Sequence, residues 1–174
     1  MAVLAPSWRA FYTRPRAEKK VASRLRQSGV EVVLPMRTVL RQWSDRKKKV
    51  QEPLFPGYLF AHVDERQRLH VLADEGVVKN VSFGGTVAAV RPEEIAVLRA
   101  LSDLPGQVDV ITMGAFPSGT PVMVIDGPLK GARGTVETSP KPLYLTVAIE
   151  AIRQSVRLQV PADWLMRTDL GGAS

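Results

Sequence analysis

The chain has 174 residues, 45% of them hydrophobic and 24% charged, the balance of an ordinary globular protein. It contains no cysteine, which excludes disulfides and thiolate chemistry and fits a reducing, cytoplasmic setting. No apolar run approaches the roughly 20 residues of a membrane span, and the opening MAVLAPSWRAF lacks the charged start and apolar block of a signal peptide. The net charge of +7 is unevenly placed: residues 1–104 carry 18 Lys and Arg against 11 Asp and Glu, whereas residues 105–174 carry six of each. Such an excess favours a polyanionic partner through counterion release.

Residues 8–14, WRAFYTR, read as an aromatic first strand. A helix is expected over about 15–28, with Pro15 in its first turn, Thr13 as the better capping residue, Ala17, Val21, Ala22 and Leu25 inward, and Gly29 as its stop. Its remaining faces are strongly basic. VEVVLP (30–35) and RTVLRQW (37–43) read as extended, SDRKKK (44–49) as a hairpin tip, and VQE (50–52) as the returning strand. GYLFAHV (57–63) is a strand by its aromatic and β-branched content. A short helix over 65–74 is expected to turn Leu69, Leu72 and Ala73 inward. Strands at 77–83 and 86–90 flank Gly84-Gly85, and a helix begins at Pro92 with Ile95, Val97, Leu98 and Leu101 as its apolar face. Residues 105–118 read as a linker with room for a brief strand. From 119 the chain is a series of short strands (TPVMVI, ARGTVET, LYLTVAI, QSVRLQV) joined by DGPLKG and SPKP, the texture of a small barrel. IEAIRQSV (149–156) also has helical spacing; the alternation on both sides favours strands.

Motifs for catalysis are missing. His62 and His70 are the two histidines, no HExxH, CxxC or nucleophile elbow occurs, and GPLKG (127–131) lacks the frame of a phosphate loop. The expectation is a non-enzymatic protein without metal or cofactor.

Two motifs in order carry a resemblance. EPLFPGYLF (52–60) follows the basic helix PRAEKKVASRL, and VMVIDGPLKGARGTV (122–136) has the VxVxxGPLxGxxGxV pattern of a KOW motif. From residue 8 to about 168 the chain resembles the NusG family of transcription elongation factors. That resemblance implies an α+β fold: an NGN domain over 1–104, an antiparallel sheet flanked by helices; a linker over 105–118; and a KOW domain over 119–174, a five-stranded SH3-like barrel. It implies a monomeric factor that binds RNA polymerase at the β′ clamp helices, bridges toward the β subunit and suppresses pausing. The residues matching the polymerase patch are Tyr12, Leu54, Phe55, Tyr58 and Phe60, some of which are expected in the core. Gln67, Arg68 and His70 match the stretch that meets the β gate loop. Arg16, Lys19, Lys20 and Arg24 on the first helix, and Arg46, Lys47, Lys48 and Lys49 on the hairpin, are candidates for upstream or non-template DNA. Gly127, Gly131 and Gly134 are turn formers of the KOW motif, and Leu129 is the candidate KOW contact for Rho or a ribosomal protein.

Arg9 stands where many members of the family carry a second aromatic, and RQWSDRKKKVQEPLFPGY is most similar to the specialised UpxY-like and RfaH-like paralogues that antiterminate long polysaccharide operons. A general elongation and termination factor is one alternative. A ribosome-associated RNA-binding protein is another, which the neutral charge of residues 105–174 disfavours.

Overall fold

The computed structural model describes residues 5–104, 108–112, 119–137 and 143–168. The chain divides into two compact units, Met1–Ser102 and Asp103–Ser174. The predicted turn SPKP (139–142) lies outside the described residues.

The first unit is built on a four-stranded antiparallel sheet. Its strands are β1 (Ser7–Thr13), β2 (Glu31–Val33), β5 (Tyr58–Val63) and β6 (Val77–Asn80), in the order β2-β5-β1-β6. Pleating divides the sheet into two faces. On one, Phe11, Val32, Leu59, Ala61, Val63 and Val77 join Val21, Ala22 and Leu25 of helix α1 (Glu18–Gln27) and Val71 of helix α2 (Glu65–Leu72) in a single buried cluster. On the other, registered rows cross the strands: Glu31–His62–Trp8, then Val33–Phe60–Ala10, then Tyr58–Tyr12–Lys79. Helix α3 (Pro92–Leu101) covers the first of these rows. Its Arg99 guanidinium sits 5.5 Å over the Trp8 ring and donates to Glu31 at 2.6 Å. The acids that open α3 include Glu94, which accepts from the backbone N–H of Arg91 in place of a side-chain cap.

Two smaller ribbons complete the unit. β3 (Met36–Gln42) pairs with β4 (Lys47–Pro53), and β7 (Ser82–Phe83) with β8 (Thr86–Val87) around Gly84-Gly85, both at positive φ. The β3–β4 ribbon turns at Trp43–Arg46, where the Trp43 N–H donates to the Arg46 carbonyl at 2.8 Å. Lys47, Lys48 and Lys49 therefore lie on a strand, not in the tip where the sequence placed them.

The first helix starts later than its composition implies. Arg16 takes a left-handed φ of 63°, so Pro15 precedes the helix instead of opening it, and Ala17 caps α1 without a side-chain hydrogen bond. Thr13 is buried in β1 and caps nothing. In α2 Val71 is fully buried and Leu72, half-buried, packs against the same core as expected, while Leu69 and Ala73 are exposed. The expected inward faces of α1 and α3 hold.

The second unit is one six-stranded antiparallel sheet in the order β14-β10-β11-β12-β13-β9. Its strands are β9 (Val108–Thr112), β10 (Thr120–Val124), β11 (Arg133–Val136), β12 (Tyr144–Ile149), β13 (Gln154–Gln159) and β14 (Leu165–Arg167). β9 pairs along β13, so residues 108–112 of the expected linker belong to this sheet, and the expected five strands become six. IEAIRQSV resolves into both of its readings. β12 and β13 flank a single 3-10 turn, Glu150–Ile152, which ends on Arg153 at φ 51° and buries Ala151 and Ile152.

Two interactions fix the first unit and are testable. Asp74 accepts both arms of the Arg24 guanidinium, at 2.7 and 2.9 Å, and the Gly76 N–H at 2.9 Å. The hydrogen bond from Arg24 holds the Asp74 carboxyl below its usual range. Its stabilisation is therefore complete above the unfolded Asp pKa of about 3.9 and is lost as pH falls through the lower folded value. Asp74→Asn is expected to cost about 1–2 kcal/mol at neutral pH, with the gap to the wild type narrowing below about pH 4 in urea-unfolding curves; a gap independent of pH would contradict the pairing. Glycine at 76 is required by space: a Cβ there would collide with the buried Val21 side chain. Gly76→Ala is expected to cost about 1–3 kcal/mol by overpacking, read as a lowered urea midpoint.

Candidate functional site

The segment EPLFPGYLF joins the β3–β4 ribbon to the sheet, and its breakers have separate tasks. Pro53 ends β4. Phe55-Pro56-Gly57-Tyr58 forms a turn with Gly57 at φ 84° and a Tyr58 N–H to Phe55 carbonyl bond of 3.1 Å, the type II arrangement of proline then glycine. The turn is tied down from both sides. The Gly57 N–H donates to the Glu18 carboxylate at 2.9 Å, and the Gly57 carbonyl accepts the Thr13 N–H at 2.8 Å. Glu18 is 4% exposed, so a charge on the first turn of α1 is buried to hold this turn.

That anchoring decides which apolar residues of the segment can meet a partner. Leu54, Phe55 and Phe60 are at most 2% exposed and present nothing outward; they are core residues, a correction to their place in the expected contact patch. Tyr12 and Tyr58 remain half-buried and directly opposite each other on β1 and β5. Their ring centroids are 5.1 Å apart at 47°, and the Lys79 ammonium lies 5.5 Å over the Tyr12 ring. Two tyrosines and a cation thus line up across three strands at the end of the sheet face away from the Arg99–Trp8 contact. The sequence search missed Lys79, whose position follows only from the β1–β6 register.

The basic residues separate into paired and free. Arg24 is held in its bidentate pair with Asp74 and is withdrawn from the nucleic-acid set. Lys19 donates to the Gln51 carbonyl at 2.6 Å, joining α1 to the ribbon. Arg16 and Lys20 are exposed. A cavity of about 740 Å³ opens beside Arg16 and Lys19, walled by Thr13, Pro15, Val50 and Pro53. On the ribbon, Arg37 and Arg41 both bind Glu52, at 3.0 and 2.6 Å, and Arg41 foremost holds that carboxyl below its usual range. Arg46, Lys47, Lys48 and Lys49 are all exposed.

The stretch matched to the β gate loop is mostly engaged internally. Gln67 closes a capping box with Asp64, its N–H donating to the Asp64 carboxylate at 2.7 Å and its side-chain oxygen accepting the Asp64 N–H at 3.1 Å. Arg68 pairs with Glu65 and donates to Asn80 at 3.1 Å. His70 is exposed.

In the second unit, Gly127 (φ 83°) and Gly131 (φ 93°) shape the β10–β11 connection as expected. A Cβ on Gly127 would also meet the Trp164 ring at 2.7 Å. Gly134 differs: it lies within β11, and a Cβ there would strike the Thr146 carbonyl of β12. It is a close-approach glycine, not a turn glycine. Leu129 is 2% exposed and is packing, not a contact tip. Among the described residues of this unit the large exposed apolar side chains are Ile125 and Met166, beside the β10–β14 pairing.

Among the described residues no helix is long and apolar enough to cross a membrane, and no group of three His, Asp or Glu is placed to hold a metal ion.

Comparison with known proteins follows the same lines. The family model described as transcription termination factor NusG matches residues 6–99, more than half of the chain. The structure of Thermotoga maritima NusG, a study of domain interaction, is similar over 94% of this chain and 98% of that one, with 23% identity and a TM-score of 0.56. Two conformations of an MjSpt4:Spt5 complex align over 92% of the chain at 19% identity, with TM-scores of 0.30 and 0.31 that bear no weight for the fold. The Tyr58–Tyr12–Lys79 row lies within the matched residues, and the chain belongs to the NusG family of transcription factors.

Proposed function

We propose that the chain is a non-enzymatic factor that binds elongating RNA polymerase, with residues 1–104 as an NGN domain and residues 119–174, extended by β9, as a KOW domain. The observation that carries this reading is the Tyr58–Tyr12–Lys79 row. It is a half-buried aromatic row on a sheet whose other rows are buried or lie beside α3, and a small aromatic cluster with an adjoining cation is the composition of an interface anchor. Its partner is the β′ clamp helices, and the bound factor suppresses pausing. His70 is the remaining candidate for the β gate loop, and Arg16, Lys20 and Arg46 to Lys49 for upstream or non-template DNA. The hairpin sequence RQWSDRKKKVQEPLFPGY supports a specialised antiterminator of long, polysaccharide-type operons. The family description, which names termination, favours a second reading as a general elongation and termination factor acting with Rho or a ribosomal protein through the KOW domain.

In a pull-down with core polymerase, Tyr12→Ala and Tyr58→Ala are each expected to weaken binding about 10-fold or more, as truncated aromatic anchors do, with unchanged urea unfolding. Phe55→Ala and Phe60→Ala are expected instead to destabilise the fold by about 3–5 kcal/mol. Retained binding in both tyrosine variants would remove the patch from the interface. Replacing Lys47, Lys48 and Lys49 with Ser is expected to lower the salt slope of nucleic-acid binding by roughly two to three, measured by anisotropy titrations across salt concentrations. Transcript levels of a long operon against other transcripts, in cells lacking the gene, separate the specialised role from the general one.

A further inference from the structure

The β3–β4 ribbon carries more than charge. From residue 36 to 53 it holds six Lys and Arg against two acids, and from 37 to 49 every residue is exposed except the half-buried Val39. Two large apolar side chains stand in this polar setting, Leu40 at 65% exposure and Trp43 at 54%. A solitary exposed apolar residue is ordinary, but the placement of Trp43 is specific. It follows the last registered pair of the ribbon, Gln42 opposite Lys47, and its backbone closes the turn through Arg46. The Gln42 side-chain amide donates to its carbonyl at 3.3 Å. The ring is therefore carried on a held backbone, and the described neighbour on its face is the Lys48 ammonium at 5.6 Å. Ribbon pleating puts Lys48 and Arg41 on one side and Lys47 and Lys49 on the other, so the end of the ribbon presents cations on both faces, with Lys48 the one beside the indole.

An indole at the end of a cationic ribbon matches the two requirements of an unpaired strand: a flat π surface for a base and positive charge for the phosphates beside it. Paired bases offer their faces only to each other, so a duplex would use the lysines and leave the ring idle. We infer that Trp43 is a stacking residue for an unpaired base of single-stranded DNA, with Lys47, Lys48 and Lys49 holding the adjoining phosphates. The inference rests on the reading of this hairpin as a nucleic-acid contact and adds to it a preference for unpaired DNA.

The test uses the full-length chain, its Trp43→Ala and Trp43→Phe variants and the triple Lys47, Lys48, Lys49→Ser variant. Each is titrated by fluorescence anisotropy against a labelled single-stranded DNA, its duplex and the same sequence as RNA, over a range of salt. Urea unfolding of each variant checks that the fold is kept. Trp43→Ala is expected to lose roughly 5-fold to 100-fold in affinity for single-stranded DNA, at every salt concentration and without a change of salt slope. Trp43→Phe should retain most of the affinity, and duplex binding should be the same in all three tryptophan-position chains. An equal loss on the duplex, or no loss on the single strand while the lysine variant still lowers the salt slope, overturns the stacking role and leaves the charge reading standing. Tighter, Trp43-dependent binding to the RNA overturns the assignment to DNA. If the wild type binds none of the three, both readings fall together.

Discussion

One buried carboxylate organises the first unit. Glu18 opens α1, yet its side chain turns inward to accept the Gly57 N–H, and the Gly57 carbonyl in turn takes the Thr13 N–H. The end of β1, the start of α1 and the turn into β5 are thereby joined at one glycine. A carboxylate removed from water is costly unless it is hydrogen-bonded, so the arrangement constrains all three elements together. It sets where β5 begins, and hence which of its side chains face the helices and which the tyrosine row. A slip of one residue would exchange Tyr58 with Leu59 between the two faces.

The same constraint explains how far the sequence could be read. The aromatic strands, the basic first helix, the apolar face of α3 and the series of strands after residue 119 follow from local periodicity, and each recurs in the structure. The orientation of EPLFPGYLF does not follow from periodicity, because Leu54 and Phe55 precede the strand and are placed by a turn that a distant glutamate secures. Their burial was thus invisible locally, while Tyr12 and Tyr58 stayed at the surface. Lys79 escaped for a related reason: its neighbours are cross-strand, and the register of β1 with β6 shifts between Tyr12 and Thr13.

Charges were the least legible feature. In the sequence the first helix presents a uniform basic face, and the hairpin a run of cations. In the structure Arg24 belongs to Asp74, Arg37 and Arg41 to Glu52, and Arg68 to Glu65. Each acid lies far enough away in sequence, or across a ribbon, that composition alone does not reveal the pair; the Glu65–Arg68 pair on one helix is the exception. The glycines of the second unit show the converse. Three similar-looking positions do different work, with Gly127 and Gly131 chosen for backbone sign and Gly134 for the closeness of β12.

The ribbon has a kinetic consequence. Seven residues of strand extend about 24 Å, about three screening lengths at physiological ionic strength, where the Debye length is about 8 Å. At this end of the ribbon Arg46, Lys47, Lys48 and Lys49 stand against Asp45 alone, so a net positive charge remains there beyond the reach of Glu52 at the other end. That net charge raises the rate at which a nucleic acid is captured at the end of the ribbon, and added salt lowers it.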